Sequence, residues 1–562
     1  SSADGGERVQ IFEQIGDLQL ALGNREAARS AYVDAVSIIE TVDPSHVPLL
    51  EKLLDLQRSD GAVDDAIATA QRIADAVTDA AERANRRREV ASLQMEVGHW
   101  GDAVDMLEKV LVDNPTDEAA LHDLCTACNH AGRSADVATT LERVLPGLPA
   151  TVDPEAEHSR ALLWEELGNA IADRDLAGGI AALEKAVALD TERLSARMRL
   201  AELYAQHPDH SALALENHRS LVRLDPTCEG SLRALAADYL SQGKNDRARC
   251  HLELLDLLGL ANESDRAALE RHAVPVRPTD EPYAGCVGDS ERHAQLVHPS
   301  TRMVADVFAA LWEGVPAYSQ STLDSLGVTA KDKVSAISDL DVAKIFSQAG
   351  KALSNQRAGL YVMPDADFEG IRLVSVAPTA IVIAKRFAEE ISVSELRFRI
   401  GQALELLRPE FVLAATLDSV TLEDVFMAAL KAFHPKHNRW RAGSEDSAAE
   451  EAAKLKKALP YKLAKRVAEI FQEHADAELD CSRWRAAVLE TGNRAGLLLC
   501  GELRTAASVV LRESAAGISE VTHELLREHA RIAGPLKELL RFFVSPEHFG
   551  LRDILGTAAK SQ

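Results

Sequence analysis

The sequence predicts a mainly α-helical protein, with an array of helix pairs that forms a superhelix, followed by an α+β domain. The chain is 27% charged and only 4% aromatic, and it is rich in Ala, Leu and Glu, a composition typical of helices. A glycine recurs at the end of helix-like stretches, at Gly23, Gly61, Gly98 and Gly132. Short β-branched runs occur only later, between residues 358 and 387. These observations place the repeats first and a small sheet after them.

Length and charge limit the classes of function. A chain of 562 residues is expected to form two or three domains. Its net charge of −26 argues against nucleic acid or an anionic membrane as the main partner, and no apolar stretch is long enough for membrane insertion. Seven scattered cysteines favour a reducing, cytoplasmic location. Because the chain opens on Ser, an upstream targeting segment could have been removed.

The first half repeats itself. Aligning "GDLQLALGNREAARSAYVDA" with "SLQMEVGHWGDAVDMLEKVLVDNP" superposes four residue pairs: Gly23 on Gly98, Ala28 on Ala103, Tyr32 on Leu107, and Ala35 on Val110. Small residues recur where the helices of a pair would cross, and large apolar residues lie beside them. This pattern resembles the tetratricopeptide (TPR) repeat, which encodes a helix pair in about 34 residues. About seven repeats cover residues 9–262, so residues 1–270 are predicted to form the array.

The TPR resemblance implies a binding role. Stacked helix pairs form a groove that takes up a peptide or another protein. We therefore expect a protein or peptide partner in the groove, with the chain acting as a scaffold or as a subunit of a larger assembly.

Two cysteines in the array offer an alternative. Cys125 and Cys128, with His122 and His130 nearby, have the spacing of a redox or zinc motif. Cys125 nevertheless falls where the repeat places a small residue, and cysteine is readily buried. We favour a core role.

Residues 271–300 contain four prolines and two glycines, a composition that predicts a linker. Residues 301–562 then form the second predicted domain. Three short β-branched runs, "AGLYVMP", "GIRLVSVAP" and "TAIVIAKRF", predict a small sheet. Ser392 and Glu395 follow as a capping box that begins a broadly apolar helix, which Pro409 ends.

The order of these elements carries a second resemblance. The "P-T-A-I-V-I" strand, the capping box, "G-x-x-L-E-L-L" and the later "LETGNRAGLLLCGEL" resemble the catalytic domain of HtpX-like gluzincin zinc peptidases. That resemblance implies an α+β domain with a zinc site shared by two helices. On the matching positions, the metal ligands and their supporting groups are replaced by Gln402, Ala403, Leu406, Leu489 and Asn493.

A catalytic zinc needs three N, O or S ligands and a carboxylate that deprotonates the bound water. Gln402, Leu406 and Leu489 replace the ligands, Ala403 replaces the general base, and Asn493 replaces a supporting Asp. The resemblance thus implies a pseudopeptidase with no metal and no cofactor, its site filled as core. The neighbouring carboxylates Glu405 and Glu490 are each one residue out of register.

The alternative is a zinc-dependent peptidase with unrecognised ligands, to which the array recruits substrate. The candidate ligands would then be His434, His437, His474 and His523.

A basic cluster between the two helices is a candidate contact surface. It comprises Lys431, His434, Lys436, His437, Arg439, Trp440 and Arg441. Such a cluster with one aromatic residue could bind phosphate or an acidic protein. The alternative is a flexible loop attracted to the acidic block that follows.

Overall fold

The computed structural model describes the chain except for a few short segments. The residues outside the description are 1, 115, 151–152, 207, 320–322, 336–337, 365, 435–444, 476–479, 516, 519 and 560–562. The chain divides into two compact units, Ser1–Asn217 and His218–Gln562, and each is taken by itself below.

The first unit is built from helix pairs. Its helices are α1 (Ser2–Ala21), α2 (Arg25–Ile38), α3 (Val47–Ser59), α4 (Val63–Ala76), α5 (Ala80–Glu96), α6 (Trp100–Asp113), α7 (Glu118–Ala131), α8 (Ser134–Val144), α9 (Pro154–Ile171), α10 (Leu176–Leu189) and α11 (Leu194–Ala205). Helix α12 (Ser211–Leu224) crosses the unit boundary. Each odd-numbered helix up to α9 packs against the next helix, which completes its pair. We refer to the two members of a pair as its first and second helix.

The recurring glycines and alanines explain why the helices pair. Gly23, Gly61, Gly98 and Gly132 follow the first helices of four pairs and have φ between 70° and 80°, a conformation that other residues adopt only with strain. Within the first pair, Tyr32 is fully buried and lies over Gly16, where an added Cβ would clash with its ring. Small residues therefore set the distance between paired helices, and glycines turn the chain between them.

The second unit is also mainly helical. Its first helices are α13 (Glu229–Ser241), α14 (Asn245–Leu257), α15 (Glu263–Arg271), α16 (Asp289–Glu291), α17 (Arg302–Gly314), α18 (Pro316–Ser319), α19 (Asp341–Ala352) and α20 (Lys385–Glu390). The remaining helices are α21 (Val393–Leu406), α22 (Val412–Thr416), α23 (Ser419–Phe433), α24 (Glu445–Ala458), α25 (Tyr461–Glu473), α26 (Cys481–Cys500), α27 (Leu503–Ser514), α28 (His523–Arg531), α29 (Pro535–Phe543) and α30 (Pro546–Leu555).

A three-stranded sheet precedes α20. Its strands β1 (Gly359–Met363), β2 (Ile371–Val374) and β3 (Ala380–Ala384) lie in the order β1-β3-β2. Strand β3 pairs in parallel with β1, Gly359 opposite Ala380, and antiparallel with β2. All five residues of β3 are buried, as expected for a central strand covered on both faces. Strand β2 is at the sheet edge.

The structure divides the chain differently from the sequence-based boundary at residue 270. The second compact unit begins at His218, so the helix pair α13 and α14 belongs to it. Residues 271–300, predicted to be a linker, are packed within this unit. Val287 and Leu296 are buried, and the Tyr283 hydroxyl donates to the Leu499 carbonyl at 3.0 Å.

Buried arginine side chains explain the packing of this segment. Arg397 of α21 is buried and donates to the carbonyls of Arg277 at 2.6 Å and Pro278 at 2.7 Å. A buried guanidinium needs such acceptors. The proline and glycine content of residues 271–300 predicts a segment rich in turns. It carries no information about a donor as distant in sequence as Arg397.

Candidate functional site

Polar side chains link the first helices of successive pairs in the first unit. Lys52 of α3 bonds Glu13 and Asp17 of α1 at 2.9 and 2.8 Å. Arg58 of α3 bonds Glu89 of α5 at 2.8 Å. The same linkage continues from α7 to α9, where the His122 ring and the Ser159 hydroxyl are 2.7 Å apart. The first helices thus lie side by side and share a polar surface, which we call the first-helix face.

One position on this face recurs in the same register. The residue six before each turn glycine is exposed and polar in four successive pairs, namely Asp17, Asp55, Ser92 and Thr126. Since side chains at this position leave the packed interior intact, they can be varied without rebuilding the array. A row of exposed polar groups across adjacent helices suits an extended peptide better than a compact small molecule.

The cysteine pair of the array lies in its core. Cys125 and Cys128 are both buried free thiols. Burial raises the pKa of Cys125 to about 12 and that of Cys128 to about 11, so both thiols are protonated at neutral pH. A reactive or metal-binding cysteine requires the thiolate.

In the second unit, the two helices of the peptidase resemblance cross at close range. An added Cβ at Gly401 of α21 would lie 2.9 Å from the Ala495 carbonyl oxygen of α26. One at Gly496 would lie 2.8 Å from the Phe398 carbonyl oxygen, and one at Gly492 would lie 2.8 Å from Leu406. Such separations are below ordinary contact, so glycine is required on both helices for this crossing.

The crossing brings two of the predicted site residues together. Gln402 Nε2 donates to Asn493 Oδ1 at 2.8 Å and to Glu513 Oε2 of α27 at 3.1 Å. Glu513 also bonds Arg399, and Arg399 lies 3.3 Å from Glu395. The positions that the resemblance assigns to the first ligand and to the supporting Asp therefore hold a neutral amide pair within a hydrogen-bonded network. An amide nitrogen that donates cannot also ligate a cation.

The three apolar site positions differ from one another. Ala403 and Leu406 are buried, and Leu406 packs over Gly492. Leu489 is 39% exposed, so the expectation that it fills the site as core is wrong. Its neighbours Val488 and Ala487 face the interior instead, because one residue along a helix changes direction by about 100°.

Glu405 is held in a buried ion cluster. It is fully buried, with Oε1 2.6 Å from Arg292 Nε and Oε2 2.9 Å from Arg408 Nε. Arg292 also lies 2.8 Å from Glu410. Burial raises the pKa of Glu405, but Arg292 and Arg408 outweigh it and hold the pKa below its ordinary value. Its ionised oxygens are thus committed to guanidinium groups.

Glu490 has a different environment. Its Oε2 lies 3.5 Å from His298 Nε2. Burial, followed by the charge of Glu538, raises the pKa of Glu490 to about 7, although Arg494 and Arg541 oppose the shift. Burial lowers the pKa of His298 to about 4. The pair of His298 and Glu490 is separate from the Gln402 network.

A cleft of about 680 Å³ adjoins the Gln402 network. The edge strand β2 lines it with Ile371, Arg372 and Leu373, and α21 lines it with Arg399 and Gln402. The cleft therefore places backbone of a sheet edge opposite polar helix side chains.

A second cavity of about 590 Å³ lies beside residues 271–278. It is lined by Arg249, Arg271, Arg277 and Arg552, among others. Arg552 makes a two-point bond to Asp246, at 2.9 and 2.7 Å, and Arg249 bonds Glu253 at 2.6 Å. These partners neutralise much of the positive charge around the cavity.

The predicted basic contact surface is described only in part. Lys431 lies in the last turn of α23, and the His434 ring centroid is 5.5 Å from that of Phe471. Lys436, His437, Arg439, Trp440 and Arg441 lie outside the described residues.

Three of the candidate zinc ligands of the alternative function, His434, His474 and His523, lie within the described residues, whereas His437 does not. His523 Nδ1 is 2.8 Å from the Leu257 carbonyl oxygen, and His474 follows α25. Within the described ranges, no group of three or more His, Cys, Asp or Glu side chains is arranged to hold a metal ion. Across the same part of the chain, no helix is both long and apolar enough to cross a membrane.

Sequence reasoning missed Arg292, Arg397 and Glu513. Arg397 and Glu405 carried a usable signal, because each is a lone charge flanked by apolar residues, Leu396 and Phe398 or Leu404 and Leu406. Charged residues are almost never fully buried unless paired. Their partners are distant in sequence and carried no such signal.

The first unit is an array of helix pairs, and the described part of the chain is mainly helical with one small sheet. No protein-family model and no curated protein matches the chain. Solved TPR structures match parts of it. A MamA fragment from Desulfovibrio magneticus RS-1 is 20% identical, with 33% of this chain and 97% of that chain covered and a TM-score of 0.25.

A TPR protein from Parabacteroides merdae is 17% identical, covers 47% of this chain and 98% of its own, and has a TM-score of 0.23. YrrB, described as a TPR protein with an unusual peptide-binding site, is 15% identical, covers 33% and 89%, and has a TM-score of 0.25. All three TM-scores are below 0.5, and the pairing of helices and the register of the turn glycines are properties observed in this chain itself.

Proposed function

We propose that this chain is a non-catalytic interaction or scaffold protein that binds an extended segment of a partner protein across its first-helix face. The observation that carries the proposal is the row Asp55, Ser92 and Thr126, exposed at one register on adjacent first helices. Repeat arrays use such contiguous surfaces for extended ligands. The charged links beside this row, such as Arg58 with Glu89, offer further polar groups to a peptide backbone.

A matched pair of triple variants tests this proposal. Asp55→Arg, Ser92→Arg and Thr126→Arg change the first-helix face. The control Asp102→Arg, Ala68→Arg and Thr139→Arg adds the same charge at exposed positions of second helices. Partners captured from native lysate by the unmodified chain should be lost from the first variant and retained by the control. Equal retention by both variants would place binding elsewhere.

For the second unit, we propose a pseudopeptidase domain that serves as a docking or structural module. The hydrogen bond from Gln402 to Asn493 and the packing of Leu406 on Gly492 support it, because they occupy positions that the resemblance assigns to a metal and its support. The zinc content per chain, measured without chelator or histidine tag, should be near zero, and a casein cleavage assay should show no activity above a mock preparation. One zinc per chain with cleavage activity would favour the peptidase alternative.

A further inference from the structure

An apolar stripe runs along α1, the first helix of the array. Its members Ile11, Ile15 and Leu18 are exposed, and the stripe continues to Leu22 just beyond the helix. Their spacing of four, three and four residues puts them on one face of a helix. Leu18 is 65% exposed and Ile15 is 40% exposed, so this face is open in the first unit.

The same register is buried in the internal repeats. Leu18 stands five residues before its turn glycine, and the residues at the same position in the next three pairs are Leu56, Leu93 and Ala127. Eight residues before it, Ile15 corresponds to Leu53, Val90 and Leu124. Leu56 and Leu53 are only 5% and 3% exposed, and the other four are also buried. Identical positions therefore differ in burial according to their place in the array.

Contacts between helix pairs explain the difference. Helix α3 packs against α2, α5 against α4, and α7 against α6, so each internal first helix meets the second helix of the pair before it. These second helices are amphipathic. Small and aliphatic side chains on their apolar faces are buried, such as Ala70, Ile73 and Ala74 of α4. Helix α1 has the apolar face that this contact requires.

A terminal repeat that ends an array carries a polar outer face, because an apolar one exposes the solenoid to association. The α1 stripe is apolar where such a polar outer face is expected. Its residues have the same apolar character and the same spacing as the residues buried between internal repeats. We propose that α1 is an open repeat interface whose partner is a further helix pair of the same repeat class, docking through its second helix. This interaction is independent of what binds the first-helix face.

An extended chain tests the proposal directly. Residues 80–117, which comprise α5, α6 and the following turn, are placed ahead of Val9 in place of residues 1–8. Val9 stands fourteen residues before Gly23, as Glu118 stands before Gly132, so the added pair keeps the spacing of an internal repeat. Amide hydrogen exchange in α1 should slow at least tenfold relative to the unextended chain.

Leu18→Glu provides the matched comparison. In the unextended chain it replaces an exposed side chain, and the melting temperature should change by less than about 1 °C. In the extended chain it buries a carboxylate at the new interface, so the melting temperature should fall by several degrees and α1 exchange should return to the unextended rate. Leu20 is exposed but lies outside the stripe. Leu20→Glu should therefore change the melting temperature equally little in both chains.

Two results would overturn the proposal. Unchanged α1 exchange in the extended chain, with Leu18→Glu acting equally in both backgrounds, would show that α1 does not accept a repeat. A dimer of the unextended chain by light scattering that Leu18→Glu dissociates would identify a second copy as the partner instead.

Discussion

Each compact unit is stabilised by its own polar contacts, and those of Lys52 in the first unit and Arg292 in the second differ in sequence reach and burial. In the first unit, Lys52 meets Glu13 across 39 residues on a partly exposed surface. In the second, Arg292 meets Glu405 across 113 residues and Arg552 meets Asp246 across 306, with both arginines buried. Exposed ion pairs contribute little to stability, whereas breaking one partner of a buried pair leaves a charge without compensation. Loss of the Lys52 pair should therefore destabilise the first unit less than loss of the Arg292 pair destabilises the second.

The largest effect is expected from Arg292→Met. This change removes the guanidinium from Glu405 Oε1 in the interior, where Oε2 keeps its contact with Arg408, and it should lower the free energy of unfolding of the second unit by about 3–5 kcal/mol. The control, Arg58→Met, breaks the partly exposed pair with Glu89 and should cost the first unit less than about 1 kcal/mol. Urea titration followed by hydrogen exchange in each unit measures both values. Equal losses would remove the contrast between the units.

Arg397→Met tests whether the segment 271–300 is part of the second unit's core. The variant removes the donors to the Arg277 and Pro278 carbonyls and should cost about 2–3 kcal/mol. Exchange of amides near Val287 should also accelerate, since the segment loses a tether. If amide exchange accelerates only in α21 and stays slow near Val287, other contacts are sufficient to hold the segment 271–300 in place.

The helix crossing in the second unit can be probed with single methyl groups. Gly401→Ala forces a Cβ against the Ala495 carbonyl and should destabilise by about 1–3 kcal/mol. Gly101→Ala in α6 has nothing within 4 Å and should be neutral or stabilising by up to about 1 kcal/mol. Thermal melts of the two variants supply the comparison. A neutral Gly401→Ala would mean that α21 and α26 can separate without cost.

The smallest effect depends on pH and comes from Glu490. Its folded pKa of about 7 exceeds the ordinary value of 4.5, so the folded chain binds a proton more readily than the unfolded chain does. The stability from this group is full below pH 4.5 and is lost as the pH rises through 7. Glu490→Gln should therefore stabilise the second unit by about 1–2 kcal/mol at pH 8 and hardly at all at pH 4.5.

How far the sequence predicts the structure differs between the units. In the array, each helix pair contacts its neighbours in sequence, so the recurrence of Gly23, Gly61, Gly98 and Gly132 was enough to predict the helix pairing. The strands were likewise predicted from local patterns, and of the capping box at Ser392 the structure shows the N-cap bond, in which the Ser392 hydroxyl accepts from the Glu395 amide at 3.1 Å. Local patterns do not show which residues cover a given helix face. The exposure of the apolar stripe on α1 is therefore known only from the solvent accessibility of its side chains.

The second unit shows why the rest was beyond sequence reasoning. Residues 271–300 have the composition of a linker, but Arg397 and Tyr283 bind them to helices more than a hundred residues away. Leu489 was expected in the core because it is apolar, yet its register on α26 turns it outward. Gln402 and Asn493 were named from the resemblance, but the bond from Gln402 to Glu513 depended on where α27 packs, for which the sequence carried no signal.

The central claim is that a partner segment lies on the first-helix face, and site-specific photo-crosslinking tests it most directly. A benzophenone amino acid is placed at Ser92 of α5 in one chain and at Ala68 of α4 in another, both exposed positions, and each chain is irradiated in native lysate. The account predicts one dominant crosslinked partner at Ser92 that is absent at Ala68. The same partner at both positions, or only at Ala68, would contradict it.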